Sequence, residues 1–346
     1  MSELLIELVR RYSPSTLEAP AVNYLVAWMR ERGFDARVDE VGNAVGIRGP
    51  ASAPNTLMLL GHIDTFPGEI PVRVEDGVLY GRGSVDAKGP LCAFAEAAAA
   101  ARIPDGWRVV VVGAVEEEST TSKGAHHIHQ TFTPTCCIIG EPSGSDRITL
   151  GYKGRVLVEY SLRRAVAHTA RPEPTAGALG AAFWMAVQGW ADEVNAGYER
   201  FFDQVMPSLR AINTQSDYFH DTLHMTVAFR LPPRVTPDDV LHKLETLKQP
   251  DGDLRAYGQE IAYQSEKNTP LVRGMMAAIR ARGGTPGFVL KTGTSDMNIV
   301  GARWRCPIIA YGPGDSNLDH TPNEHQVLSE YQQAVTTLTA FVEGLG

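Results

Sequence analysis

The apolar run Leu59-Leu60-Gly61 ends in His62-Ile63-Asp64-Thr65. Residues two apart on an extended chain face the same side. Asp64 can therefore lie beside the His62 ring and hold its second nitrogen, the usual support of a metal-bound imidazole. A histidine at a strand end is, alone, more often a plain polar residue. The same holds for Asp86 in Gly81-Arg82-Gly83-Ser84-Val85-Asp86-Ala87-Lys88-Gly89-Pro90, a tight loop entering a helix. Asp86 reads either as an N-cap or as a carboxylate bridging two metal ions. A phosphate cradle is excluded there, because neither glycine-rich phosphate-binding spacing is present.

Two further apolar runs end in acids. Val109–Val115 leads into Glu116-Glu117-Glu118, and Cys136-Cys137-Ile138-Ile139 leads into Gly140-Glu141-Pro142-Ser143. A surface charge run is the ordinary reading of three adjacent glutamates. These, however, stand at the carboxyl end of a strand, where open α/β sheets place their sites. Late in the chain, 307–311 leads through Gly312-Pro313-Gly314 to Asp319-His320-Thr321-Pro322-Asn323-Glu324. His, Asp, Glu, Glu and His thus arrive at the ends of successive elements. Nitrogen and oxygen donors without thiolate suit zinc, or cobalt or manganese. Two ions need one shared carboxylate and together clamp a hydrolytic transition state. Converging acids also need cations, since unpaired they would repel or protonate.

The elements that must carry these residues alternate. Helical spacing is expected over 3–12, then from a possible capping box at Ser15 and Glu18 to about Arg32, and over 87–101. Strands are expected at 56–63, 109–115 and 136–139. Such alternation gives an α/β fold, a mixed sheet with helices on both faces. Near Gly151 the pattern changes to strand 156–162, helix 175–193, strand 224–231 and helix 237–247, which suits a ferredoxin-like α+β insertion. The α/β pattern then resumes with helix 270–282, strands 288–291 and 307–311, and helix 326–343. We expect a discontinuous catalytic domain, 1–152 and 266–346, interrupted by a smaller domain, 153–265.

Bulk properties narrow the class. A formal net charge of −8 with no basic block argues against nucleic acid as the partner. No apolar run is long enough to span a bilayer, no secretory signal is visible, and cytoplasmic residence is the expectation. The four cysteines lack C-x-x-C spacing and read as buried thiols.

As an ordered set, Gly61–Thr65, Gly81–Asp86, Glu116–Glu118, Gly140–Ser143 and Asp319–Thr321 resemble the di-zinc metallopeptidase family of acetylornithine deacetylase and succinyl-diaminopimelate desuccinylase. The resemblance implies two Zn2+ per subunit, with Co2+ as a possible substitute. His62, Asp86, Glu118, Glu141 and His320 would be the ligands, Asp86 shared. It implies Glu117 as general base and Asp64 as the group orienting His62. With three glutamates, the pair Glu116 and Glu117 is the alternative register. The inserted domain would be the lid and dimerisation domain of a homodimer. His168 within it would reach the partner subunit's site and stabilise the oxyanion. Arg230, assisted by Asn213, would bind the substrate's carboxylate. Lys291-Thr292-Gly293-Thr294-Ser295-Asp296-Met297-Asn298 narrows the resemblance to the branch of amino-group carrier protein–lysine hydrolases, and adds Lys291 and Thr294 to the substrate contacts. That branch implies hydrolysis of the bond joining lysine, or ornithine, to an acidic carrier's terminal glutamate. Arg155, Arg163, Arg164 and Arg171 would offer the carrier a basic surface. The competing activities are a small-molecule N-acyl amino acid deacylase or a dipeptidase, and a non-catalytic binding protein on the same fold.

Overall fold

The computed structural model of the chain describes residues 2–168 and 172–346. Two compact units emerge. The larger comprises the chain up to Gly151 together with 265–290 and 295–346; the smaller comprises 152–264 and 291–294.

The larger unit begins with α1 (Glu3–Arg10), α2 (Ala19–Glu31), β1 (Asp35–Val38), β2 (Ala44–Arg48), β3 (Asn55–His62), β4 (Arg73–Glu75) and β5 (Val78–Tyr80). It continues with α3 (Lys88–Ala100), β6 (Trp107–Ala114), α4 (Lys123–Thr131), β7 (Cys136–Gly140) and β8 (Arg147–Tyr152). The smaller unit contributes β9 (Gly154–Ala165), α5 (Ala176–Asn195), β10 (Met206–Ser216), β11 (His220–Leu231), α6 (Pro237–Leu247), β12 (Gly252–Glu260) and β13 (Tyr263–Gln264). The chain ends with α7 (Pro270–Ala281), β14 (Gly287–Lys291), α8 (Asp296–Gly301), β15 (Ile308–Ala310), β16 (His325–Val327) and α9 (Leu328–Glu343).

The main sheet of the larger unit is mixed and runs β1-β2-β6-β3-β7-β15-β8. Its centre, β6-β3-β7-β15, is parallel, so these strands deliver their carboxyl ends to one edge. The run Val109–Val112 is fully buried, as expected of β-branched residues on a strand covered on both faces. Side chains of α1, α2, α3, α7 and α9 share one apolar core with these strands.

A row of glycines crosses the parallel centre: Gly61 pairs with Gly113 on one side and Gly140 on the other. α3 packs down onto this row. A Cβ on Gly61 would lie 3.2 Å from Leu91 Cβ, and one on Gly140 would lie 2.8 Å from the Phe94 ring. The start of α3, just after Asp86, is thereby brought close to the ends of β3 and β7. A second small sheet, β16-β5-β4, pairs His325 with Tyr80. It sets the 319–324 loop beside the 81–86 loop, where Gly81 N–H donates to Glu324 O at 3.3 Å.

In the smaller unit an antiparallel sheet, β10-β11-β9-β12, packs one face against α5 and α6 around its own core. β10 and β12 are the strands of this sheet that periodicity misses, and β10 shows why. It is an edge strand with almost no buried residue, so it shows no apolar alternation. The capping box expected at Ser15 and Glu18 does not form. Glu18 is the N-cap of α2 without a side-chain cap, and Ser15 instead donates to Asp64 Oδ2 at 2.7 Å. Among the described residues, no helix is long and apolar enough to cross a membrane.

Candidate metal centre

The end of β3 supplies His62, which is buried with both ring nitrogens engaged. Nδ1 lies 3.0 Å from the Asp64 carbonyl and 3.4 Å from its carboxylate. Nε2 lies 3.2 Å from Asp86 Oδ1. The other Asp86 oxygen, Oδ2, lies 3.1 Å from His320 Nε2. His320 Nε2 is also 3.0 Å from the Glu118 carboxylate. One carboxylate thus stands between two imidazoles, each oxygen facing one of them. Asp86 is not a helix cap, since Ala87 is the N-cap of α3.

Asp64 does more than face His62. Its fully buried carboxylate accepts the N–H of Glu117 at 3.1 Å on Oδ1 and of Glu118 at 3.0 Å on Oδ2. It therefore fixes the loop after β6 as well as the histidine. In that loop Glu116 takes a left-handed conformation, φ +61°. Its side chain turns to Thr121 Oγ1 at 2.6 Å and Lys123 Nζ at 3.6 Å. Glu118 joins His62 and Asp86, with donor atoms of all three within 4.8 Å of one another. Glu117 is half-buried beside them. Burial lifts its carboxyl well above the usual range, and the charges of Glu141, Asp296 and Glu118 add to the lift while His62 opposes it. Glu141, 9% exposed, follows the end of β7, near enough for its charge to act on Glu117.

The electrostatics test whether cations fit. Burial alone would depress His62, yet its contacts with Asp64 and Asp86 push it well above the ordinary range. Hydrogen bonds to Asp86 and Glu118 raise His320 to about 10. Positive charge is favoured at both imidazoles because acids converge there. That is the condition under which a nitrogen and oxygen donor set holds divalent cations. A second His–carboxylate group, Asp39, Glu40 and His127, is of another kind. Asp39 Oδ1 already accepts three backbone N–H groups, from Val41, Gly42 and Asn43, and Glu40 is exposed. It reads as a surface ion pair.

Glu324, to which the sequence alone assigns no role, supports this centre. Its carboxylate is fully buried and accepts the N–H of Val85 at 2.9 Å and of Asp86 at 3.0 Å. Arg82 Nη1 donates to its other oxygen at 2.9 Å. The proline-bounded stretch after His320 was the available signal. Phe66, which stacks on His320 with centroids 4.3 Å apart, gave none.

The expected substrate contacts lie in the smaller unit and fall into two sets. Arg230 Nη1 donates to Thr294 Oγ1 at 3.1 Å, and Lys291 O accepts from Lys153 N at 3.3 Å at the same end of the sheet. Asn213 is exposed on β10 opposite His224. Arg230 is six positions further along β11, about 20 Å at strand rise. The expected help of Asn213 to Arg230 is therefore not met within one chain. His168 is exposed beyond the far end of β9. Between Arg155, which pairs with Arg230, and Ala165, which pairs with His220, lie about 33 Å of strand.

The expected basic surface is also corrected. Arg155 pairs with the Glu260 carboxylate, Arg164 with Asp251 at 2.9 Å, and Arg163 lies 3.5 Å from Asp217. Their charges are each met by a carboxylate, and Arg171 lies outside the described residues.

A family model described as Peptidase family M20/M25/M40 matches residues 58–344. A LysW-lysine hydrolase of Deinococcus radiodurans is 44% identical over 98% of this chain and 95% of its own. Among solved structures, an M20 family metallo-carboxypeptidase of Sulfolobus solfataricus superposes with a TM-score of 0.78 at 19% identity, covering 99% of both chains. A dinuclear metal-binding peptidase of the M20 family from Bacillus subtilis gives 0.74 at 11% identity, over 98% of this chain and 96% of that one.

Proposed function

From the chain's place in peptidase family M20/M25/M40, to which it belongs, we infer that it hydrolyses the amide bond between the LysW carrier protein and lysine, freeing the amino acid. The observation that carries the chemistry is the Asp86 carboxylate set between two imidazoles, with Glu118 and a half-buried Glu117 beside it. The 44% identical LysW-lysine hydrolase supports the substrate.

In this reading His62, Asp86, Glu118, Glu141 and His320 hold two metal ions, zinc or a substitute such as cobalt. Bound there, the ions supply Lewis acidity to a scissile carbonyl and make a water molecule more acidic. The rest falls to the chain. Glu117, rather than Glu116, takes the proton from the water as it attacks, and returns it to the leaving amine nitrogen. Asp64 keeps His62 and the Glu117–Glu118 backbone in register. Arg230, with Thr294 and Lys291 at its end of the sheet, is assigned the substrate's carboxylate. His168 and Asn213 are at the other end, so all cannot reach one small substrate within a single chain. That separation supports a homodimer in which His168 serves the partner's site. The long exposed edge of β10 supports it too.

The test measures release of free lysine and ornithine from the LysW conjugates, beside N-acetyl-lysine and N-acetyl-ornithine, with metal and with chelator. Fast chelator-sensitive release from the LysW conjugates is expected. Release confined to the acetylated amino acids would move the substrate assignment to a small-molecule deacylase. Glu117→Gln is expected to keep its metal and lose about 10²–10⁴-fold in turnover; near-normal turnover would remove Glu117 as the base.

A further inference from the structure

We propose that Glu324, Arg82 and Phe66 are positioning residues: they close a ring of contacts that runs from the shared carboxylate Asp86 round to His320 and back. The proposal rests on the reading that these side chains hold two metal ions.

Each link is a separate contact. Glu324 fixes the Asp86 backbone by accepting its N–H and that of Val85. The other Glu324 oxygen takes Arg82 Nη1. Arg82 Nε donates to Gly68 O at 2.9 Å, and Tyr12 Oη accepts Gly68 N–H at 2.8 Å, so the turn carrying Phe66 is tied at two points. The Arg82 guanidinium lies 5.8 Å from the Phe66 centroid, at the outer reach of a cation–π contact. Phe66 then lies flat against the His320 ring, 12° from parallel. His320 closes the ring by facing Asp86 Oδ2.

Two features argue against packing alone. His320 is 43% exposed along its side chain and stands on left-handed backbone, φ +60°. Its ring orientation thus needs outside support, and Phe66 supplies a face matched to it. Phe66 is itself 39% exposed, so it buries too little surface to be explained as core. A buried ion pair such as Arg82–Glu324 is also weak evidence for stability, since an apolar pair of similar volume would do as well. What the pair does supply is a defined geometry at both of its ends. Groups that orient metal ligands in this way typically cost about 10–100-fold in metal affinity when removed.

Metal binding tests this without recourse to turnover. The full chain, stripped of metal, is titrated with Co2+ under chelator competition and followed by its visible absorption. The parent is expected to take two ions; fewer would sink the two-metal reading rather than the ring. Phe66→Leu is expected to weaken one ion about 10–100-fold and leave the other close to parent. Phe66→Tyr, which keeps the flat face, is expected to restore it. In Glu324→Gln the amide oxygen still accepts both N–H groups, but the amide NH2 faces the Arg82 guanidinium. It is expected to weaken the same ion, and the double variant Phe66→Leu/Glu324→Gln is expected to be less than additive. Two ions held as in the parent by Phe66→Leu would overturn the proposal, as would strict additivity. If Glu324→Gln does not fold, the contrast between leucine and tyrosine at position 66 decides alone.

Discussion

Replacing Asp64 by asparagine is the most informative single change, because the cost follows from its contacts. Oδ1 accepts the Glu117 N–H and faces His62 Nδ1; Oδ2 accepts the Glu118 N–H and the Ser15 hydroxyl. An amide has only one oxygen. If NH2 takes the Oδ2 position it can donate to Ser15, but the Glu118 N–H then faces a donor. If it takes the Oδ1 position, the Glu117 N–H does. Either way one buried N–H is orphaned, at about 1–3 kcal/mol, and a charge-assisted hydrogen bond worth about 1.5–3 kcal/mol is lost. The combined cost is about 2.5–6 kcal/mol, falling on the loop that carries Glu117 and Glu118. Denaturant unfolding of the metal-free chain would read the stability change, and chelator competition would read metal affinity, expected to fall at least tenfold. Turnover should fall with it. An Asp64→Asn chain with parental unfolding and parental metal affinity would refute the reasoning, because the amide offers no alternative partner for the orphaned N–H.

Glu116→Ala separates the two registers of the glutamate run. Its side chain bonds Thr121 and Lys123, so turnover is expected within about threefold of parent and stability within about 1 kcal/mol; a loss of 10²-fold or more, the scale of a missing general base, would restore Glu116 to that role. Lys153 gives a pH test in the smaller unit. Burial lowers its amine to about 8 from 10.5, so between those values the unfolded chain binds more protons and stability from this group rises with pH. Urea midpoints of parent and Lys153→Met, compared at pH 7.5 and 10, should show the parent gaining on the variant; a constant difference would mean that the amine is not depressed.

The sheet of the larger unit was legible because its chemistry sits at strand ends. Val109–Val112 and Cys136–Ile139 are continuous apolar runs, and each is followed by its acid. Position along the chain therefore translated into position at one edge. What was not legible depended on contacts between distant segments. Nothing local marks Glu324 as the acceptor for Asp86 N–H, since the two are 238 residues apart. Phe66 looks like any loop aromatic until His320 is laid against it. The three adjacent glutamates could not be told apart by type; the left-handed backbone at Glu116 turns its side chain to Thr121 and Lys123, while Glu118 meets His320. β10 escaped because its side chains point mostly to solvent, and periodicity records only what is buried. The arginines failed as a surface because charge in a sequence carries no sign of its partner.

The row Gly61, Gly113 and Gly140 has a consequence for how this protein can drift in sequence. A metal centre tolerates errors of about 0.5 Å, and a single methyl at Gly140 would meet the Phe94 ring at 2.8 Å and force α3 or the strand to yield. The row acts as a spacer of zero thickness beneath the helix that follows Asp86. Substitutions there should be filtered by catalysis before they are filtered by folding: a chain carrying one could remain soluble and cooperative while its ligands stand a fraction of an ångström too far apart. The most restricted positions near this centre would then include three that have no side chain and never meet the substrate.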